Sequence, residues 1–180
     1  MSLTIVDFNN FWSPSGGGVR RYHLEKMNFY RYETDAVYVF VMPDSRTYTE
    51  QLTDSLIIEH VKAFKFPGKW EYRMLWKSSQ IAPILKRHKP DIIEVGSPYI
   101  LPTVVRKNAK KIVPRAKLLG FWHADFPITY VERPIAEKFG KKLGKLASQV
   151  AFAYARYEFK GFTGIQVSAE ETRLRLKRKG

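Results

Sequence analysis

The stretch that decides the fold runs from Leu3 to Tyr22 and reads LTIVDFNNFWSPSGGGVRRY. It begins with a short apolar segment, Leu3–Phe8, which is typical of a buried β-strand. Ser13–Gly18 follows, and its proline and three consecutive glycines indicate a loop. From Val19 to about Arg31, apolar residues recur at helical spacing. The order strand, glycine-rich loop and helix predicts the first βα unit of an α/β domain.

The rest of the chain continues this alternation of strands and helices. Further strands are predicted at Ala36–Met42, Leu56–Val61, Asp91–Val95, Lys117–Trp122 and Gly164–Val167. Helices are predicted at Glu71–His88, from Pro98 or Pro102 to about Lys110, from Pro134 to about Lys160, and at Ala169–Lys179. Pro83 is expected to kink or restart the first of these helices. Ser168 is expected to be the N-cap of the last one, with Glu171 completing a capping box. Strands separated by helices of crossover length predict a doubly wound parallel sheet in one domain, residues 1–180.

Composition limits the classes of function. The 180 residues include 31 Lys plus Arg and 17 Asp plus Glu, a net charge of +14, and 44% are apolar. This balance excludes disorder for most of the chain and favours anionic partners: a nucleotide, nucleic acid, an anionic membrane surface or an anionic polymer. The absence of cysteine excludes a disulfide framework, a Cys-based zinc site and thiol catalysis, and it suits the cytosol. No apolar run approaches the ~20 residues that cross a bilayer.

The glycine triplet is the sharpest candidate for ligand binding. In open sheets of this kind, ligands bind beyond the carboxyl ends of the strands, and Gly16, Gly17 and Gly18 follow the first strand. They allow a close backbone approach to an anion at the positive end of the next helix, where Arg20 adds charge. The alternative is a merely flexible connection.

A histidine and a carboxylate follow a later strand. His123 ends the strand Lys117–Trp122, and Asp125 lies two residues on. Placed at the carboxyl edge of the sheet, they suit hydrogen bonding to sugar hydroxyls or stabilisation of developing positive charge. The alternative is a strand-end histidine bonded to a backbone carbonyl, with Asp125 capping a turn. No Asp-x-Asp pair, the usual carboxylate clamp for a metal, occurs in the chain.

Two further features are expected to be structural. His23, His60 and His88 lie among charged residues and are predicted to be on the surface. The helix from Ile135 to Lys160 is amphipathic: Ile135, Phe139, Leu143, Leu146, Val150, Ala153 and Tyr157 share one face, and Lys138, Lys141, Lys142, Lys145 and Arg156 gather on the other. We expect the apolar face to pack on the core, and an anionic membrane surface is the alternative.

Four segments, in order, resemble the N-terminal domain of glycosyltransferase family 4, the retaining enzymes of GT-B fold. They are SPSGGGVRRY at 13–22, PDIIEVGSPY at 90–99, GFWHADFP at 120–127 and GFTGIQVSAEETRLRLKRKG at 161–180. The resemblance implies a Rossmann-like, acceptor-side domain that works with a C-terminal nucleotide-sugar domain. That second domain is not among these 180 residues, so we expect little turnover from the chain alone.

The resemblance also implies the reaction and the roles of the candidate residues. It implies transfer of a sugar from a UDP- or GDP-linked donor to a glycan, lipid or small-molecule acceptor, with retention and without a metal or other cofactor. It places Gly16, Gly17 and Gly18 by the donor diphosphate and acceptor, and His123 by the donor sugar at the reaction centre, where His123 and Asp125 are the catalytic candidates. The acceptor-side candidates are Ser97, Tyr99 and Ser168.

Two other classes of function remain open. A basic module that binds nucleic acid or a membrane surface without catalysis would use aromatic side chains among lysines, namely Phe64, Trp70 and Trp76. A dinucleotide-dependent oxidoreductase would use the glycine triplet with Asp44 as ribose ligand, but Arg21 occupies the position of the third fingerprint glycine. We expect no specific nucleic acid partner and a cytoplasmic location, with peripheral attachment to the inner face of the membrane left open.

Overall fold

A computed structural model describes residues 2–13, 17–65, 72–123 and 125–179 and shows an α/β fold. The strands are β1 (Thr4–Phe8), β2 (Val37–Asp44), β3 (Tyr48–Gln51), β4 (Leu56–Lys62), β5 (Phe64–Lys65), β6 (Arg73–Met74), β7 (Ile92–Val95), β8 (Lys117–Trp122) and β9 (Gly164–Val167). The helices are α1 (Gly18–Tyr32), α2 (Ser78–His88), α3 (Leu101–Ile112), a π-helix (Pro127–Glu132), α4 (Arg133–Phe139), α5 (Lys141–Glu158) and α6 (Glu170–Lys179).

The central sheet has the order β3-β4-β2-β1-β7-β8-β9. Every neighbouring pair is parallel except β3 with β4. The predicted parallel, Rossmann-like α/β sheet is therefore confirmed, with an antiparallel edge strand that the sequence did not predict. Because β1 pairs with β2 on one side and β7 on the other, the chain reverses its direction of travel between β1 and β7. Such a switch point opens a crevice at the carboxyl ends of the two strands.

Apolar layers cover both faces of the sheet because successive residues of a strand point to opposite faces. Val6 and Phe8 of β1 belong to the layer that includes the buried residues of α2 and α3. Ile5 belongs to the opposite layer, with Met27 of α1. A third cluster joins Trp122, Phe126, Phe152, Ala155 and Phe159 beside α5.

The helix predicted at Glu71–His88 begins only at Ser78, and Glu71 lies outside the described residues. Arg73–Met74 instead forms strand β6, paired with β5. The cause is a tertiary contact: the side chain of Asn10 accepts a hydrogen bond from the backbone N–H of Leu75 at 2.8 Å and donates to its carbonyl at 3.3 Å. This pairing holds the segment extended against the end of β1. The helix then runs without a break through Pro83.

The long helix predicted at Pro134–Lys160 is also wrong, because Gly140 has φ +93° and separates α4 from α5. The two helices then cross closely at Gly144. A Cβ there would lie 2.6 Å from Cβ of Ala136 and 2.7 Å from the carbonyl oxygen of Glu132. Helix α5 therefore buries Gly144, Ser148, Phe152, Ala155 and Glu158. The apolar face that we expected in the core is exposed instead, with Leu146 at 57% and Val150 at 64%.

The last helix begins one residue later than predicted. Its first backbone hydrogen bond runs from Arg173 N–H to the carbonyl of Ala169, so Ala169 takes the position that was assigned to Ser168. Glu171 pairs with Arg175, and Ser168 is exposed. In the part of the chain that the structure describes, every helix is too short or too polar to span a membrane.

Candidate functional site

Three strand ends meet at the switch point of the sheet. Asn9 follows β1, Gly96 follows β7, and His123 follows β8. A Cβ on residue 96 would lie 2.5 Å from Nδ2 of Asn9 and 2.8 Å from Nε2 of His123. Both distances are shorter than the non-bonded contacts that Cβ atoms make in proteins, so only glycine at position 96 lets the side chains of Asn9 and His123 come together over the end of β7.

Asn9 joins two histidines. Its Nδ2 lies 2.5 Å from Nε2 of His23 and 3.2 Å from Nε2 of His123. Its Oδ1 accepts the backbone N–H of Phe11 at 2.7 Å, which fixes the orientation of the amide. The amide therefore donates one hydrogen to each imidazole. By this hydrogen-bond assignment, each histidine has a bare Nε2 and carries its proton on Nδ1.

Both imidazoles are neutral at neutral pH. Burial, together with the nearby His23, lowers the pKa of His123 to about 3. Burial also lowers the pKa of His23, although Asp7 opposes the shift. A neutral His123 offers a hydrogen-bonding dipole rather than a mobile proton, so its chemistry at pH 7 is to orient an oxygen group rather than to act as a general acid.

A buried ion group supports this pair. The carboxylate of Asp7 accepts hydrogen bonds from Nζ of Lys26 at 2.8 Å and from the hydroxyl of Tyr38 at 2.7 Å. Burial opposes ionisation of Asp7, but the positive charge of Lys26, together with the hydrogen bonds from Lys26 and Tyr38, outweighs it and brings the pKa of Asp7 to about 2. Lys26 also pairs with Glu94 of β7. These contacts fix α1 to both central strands.

The start of α1 lies at the same edge of the sheet. Tyr22 stacks on Phe121 with ring centres 4.4 Å apart and meets the edge of His123 at 5.3 Å. Gly17 is the N-cap, and Gly18 begins the helix one turn before Tyr22, so the first backbone N–H groups lie near this edge. Gly16 lies outside the described residues. The guanidinium of Arg20 is 6.0 Å from the ring centre of Trp12.

Asp125 has structural partners. Its carboxylate accepts a hydrogen bond from Arg175 of α6. Burial raises its pKa, and Arg175 opposes that shift. Its backbone carbonyl accepts the N–H groups of Ile128 at 3.1 Å and Thr129 at 2.9 Å, where the chain enters the π-helix. The carboxylate is therefore held by an arginine of α6, and the two turn bonds are made by the backbone carbonyl rather than by the side chain.

The three acceptor-side candidates differ in their surroundings. Ser97 is fully buried, and its hydroxyl accepts the backbone N–H of Tyr99 at 3.5 Å, so it shapes its own loop. Tyr99 is half-buried, and its ring meets Phe11 at 6.0 Å and Phe126 at 5.0 Å. Ser168 is exposed after β9. Of the three, only Tyr99 is both partly exposed and in contact with Phe11, whose backbone N–H binds Asn9.

The sequence analysis missed part of this cluster. His23, predicted on the surface, is 1% exposed, and its spacing of four residues from buried Met27 was the available signal. Asn9 and Gly96 were signalled only by their positions directly after strands. The predictions for the other two histidines were also wrong: His60 is buried and bonded to Asp44 at 2.8 Å, and His88 is bonded to Glu59 at 2.6 Å.

Features of the alternative functions have their own contacts. Asp44 accepts hydrogen bonds from Ser45 and binds His60, so it already has partners in the place where a ribose ligand was expected. Trp76 is half exposed, with Nζ of Lys77 at 5.2 Å from its ring, and Phe64 is exposed. Trp70 lies outside the described residues.

Neither the known protein-family models nor the curated proteins contain a significant match to this chain. The strand-end site and the sequence motifs around it therefore carry the functional proposal.

Proposed function

We propose that this chain is the acceptor-side domain of a retaining, metal-independent glycosyltransferase of GT-B type. The observation that carries the proposal is the junction of Asn9, Gly96 and His123 at the switch point of a parallel sheet. Two of the resembling segments supply this junction, PDIIEVGSPY with its glycine and GFWHADFP with its histidine. A third, SPSGGGVRRY, supplies the helix whose Tyr22 touches His123.

The proposed roles follow from charge and placement. The N-terminus of α1, with Gly17 and Gly18, faces the donor diphosphate, because free N–H groups and the helix dipole stabilise the negative charge of a leaving phosphate. His123 lies beside the donor sugar and orients a hydroxyl group through its neutral ring. Asn9 sets the angle of that ring, and the Asp7–Lys26 pair keeps α1 in place below it.

The donor is a UDP- or GDP-linked sugar, and a second domain holds most of it. A site preorganised for transfer needs both walls of the cleft, so this domain binds nucleotide weakly and transfers sugar only when the second domain is supplied. The second domain determines the base and the sugar of the donor, and the half-buried Tyr99 contributes to the choice of acceptor.

Histidine-ring NMR provides a direct test with an internal control. The chain has four histidines, and two of them form the site while His60 and His88 lie in other hydrogen-bonded pairs. Titration with UDP-glucose and GDP-mannose is expected to shift the ring signals of His23 and His123 saturably in the millimolar range. The signals of His60 and His88 are expected to stay in place.

A pair of matched variants locates the phosphate. Arg20 lies in the first turn of α1 and Arg31 in its last turn. Arg20→Gln is expected to weaken nucleotide binding severalfold, and Arg31→Gln is expected to leave it unchanged. Equal effects of the two variants, or shifts spread over all four histidines, would contradict the proposal. Tight, steeply salt-dependent binding of a single-stranded oligonucleotide in place of the nucleotide sugars would favour the nucleic-acid module.

A further inference from the structure

An apolar groove of about 690 Å³ runs along the outside of α4 and α5. Its lining includes Tyr99, Phe126, Phe139, Leu143, Leu146 and Val150. Phe139, Leu143, Leu146 and Val150 are each more than half exposed. Monomeric proteins rarely leave so continuous an apolar surface uncovered unless it contacts another phase or partner.

A cationic row lies directly beside this groove. On α5, Leu143, Leu146, Val150 and Tyr157 follow spacings of three, four and seven residues, and Lys142, Lys145, Gln149 and Arg156 follow the same spacings one residue earlier. All of these side chains are exposed. The segment from Arg133 to Glu158 carries six Lys or Arg and two Glu, and Glu158 is buried. Its exposed surface is therefore strongly positive.

We propose that the apolar groove and the cationic row together form a docking surface for an anionic lipid membrane. In this arrangement α5 lies in the plane of the interface, with Leu146 and Val150 among the acyl chains and with Lys142 and Lys145 at the lipid phosphates. The inference goes beyond the proposed transfer reaction. Vesicle binding and nucleotide binding are measured separately, so either proposal can fail alone.

The charge and the apolar character of this surface favour an anionic bilayer over a second copy of the chain and over a nucleic acid. In a symmetric dimer through the same face, the cationic row of one copy would approach the cationic row of its partner, which opposes association. A nucleic acid would satisfy the lysines, but the exposed row from Leu143 to Val150 is aliphatic, and the exposed rings of Phe139 and Tyr157 lie only at its two ends, so bases have no continuous surface on which to stack. An anionic bilayer satisfies both rows at once.

Vesicle co-sedimentation tests the charge requirement. The full chain is expected to sediment with vesicles of phosphatidylcholine and phosphatidylglycerol and to stay in solution with phosphatidylcholine alone. The double variant Lys142→Gln/Lys145→Gln is expected to bind about 25-fold more weakly, at about fivefold for each charge. The control Lys86→Gln/Lys110→Gln makes the same change of net charge on α2 and α3, and it is expected to lose less than about threefold.

Site-specific labelling tests insertion. The chain contains no cysteine, so Val150→Cys accepts one environment-sensitive fluorophore. Its emission is expected to shift to the blue with anionic vesicles, whereas the same label at Phe29→Cys, an exposed position on α1, is expected to show no shift. Leu146→Gln/Val150→Gln is expected to abolish binding with an unchanged far-ultraviolet circular dichroism spectrum, because both positions are exposed.

Three results would overturn the proposal. The first is a failure of the full chain to bind anionic vesicles. The second is binding that the Lys142/Lys145 and Lys86/Lys110 variants reduce equally, which would indicate attraction by net charge alone. The third is a dimer, measured by light scattering, that Leu146→Gln/Val150→Gln converts to monomer; the groove would then hold a second copy of the chain.

Discussion

Replacing Gly96 with alanine tests how tightly the strand ends are joined. The added Cβ would lie 2.5 Å from Nδ2 of Asn9, 2.8 Å from Nε2 of His123 and 3.1 Å from Cγ of Asn9. Neither neighbour moves away easily, because Asn9 is fully buried and its amide is bonded to Phe11 and to both histidines. Gly96 does not have a positive φ, so backbone strain adds nothing to the effect.

The size of the effect follows from this geometry. Overpacking a dense interior costs about 1–3 kcal/mol, and disturbing a buried hydrogen bond of Asn9 adds about 1 kcal/mol. The lower conformational entropy of the unfolded alanine chain offsets about 0.5–1 kcal/mol. The free energy of unfolding is therefore expected to fall by about 1–3.5 kcal/mol, which lowers the melting temperature by roughly 2–14 °C in a domain of this length.

The assay is urea unfolding followed by tryptophan fluorescence, with Gly18→Ala as the matched control. A Cβ at Gly18 has no neighbour within 4 Å, so only the entropy term of the unfolded chain remains, and the same chemical change is expected to raise the free energy of unfolding by about 0.5–1 kcal/mol. Histidine-ring NMR of Gly96→Ala is expected to show a displaced signal for His123. Equal stability of the two alanine variants would refute the close packing of Asn9 and His123.

Three further perturbations have defined outcomes. Tyr38→Phe removes the hydroxyl that donates to buried Asp7 and is expected to lower the free energy of unfolding by about 2 kcal/mol in urea titrations; an unchanged midpoint would exclude that hydrogen bond. The pKa of His123 is about 3 in the folded chain, whereas the same histidine in the unfolded chain takes up its proton near pH 6.5. Acid therefore favours the unfolded chain, and the free energy of unfolding is expected to decrease as pH falls from about 6.5 towards 3. His123→Gln should flatten that pH profile, and an equally steep profile in the variant would contradict the shift. Gly140→Ala places a side chain at φ +93° and is expected to cost about 1–2 kcal/mol in thermal unfolding, where no change would mean that α4 and α5 join differently.

The sequence predicted those elements whose signal is local. The runs around β1, β2 and β8 are mostly apolar because the sheet is covered on both faces, and their positions were confirmed. Strand β3 was missed because all four of its residues are exposed and show no alternation. The π-helix and the break at Gly140 were missed because the apolar periodicity of the sequence continues across them. Together they rotate α5 about its axis, so that a different face of α5 is buried from the one predicted.

In the candidate site, too, the features with a local signal in the sequence were predicted and those that depend on tertiary packing were not. His123 was predicted as a candidate from its place at the end of a strand, and the structure does place it directly after β8. The burial of His23 and its bond to Asn9 depend on how α1 crosses β1, and residue spacing along one helix does not specify that crossing. The role of Gly96 was hidden for a similar reason, since its small size matters only when two side chains distant in sequence meet above it.

The proposed sugar-transfer site and the proposed membrane-docking groove are connected through side-chain contacts. Phe11 lies two residues after Asn9, its ring meets Tyr99, and Tyr99 and Phe126 then line the groove. The strand-end site and the membrane-facing groove are thus joined through a chain of aromatic contacts. If vesicles and nucleotide sugars both bind, an acceptor carried by a lipid would keep its apolar part in the groove while its hydroxyl reached His123 past Tyr99. If only nucleotide sugars bind, that advantage of a lipid acceptor disappears, and a soluble acceptor fits the site equally well.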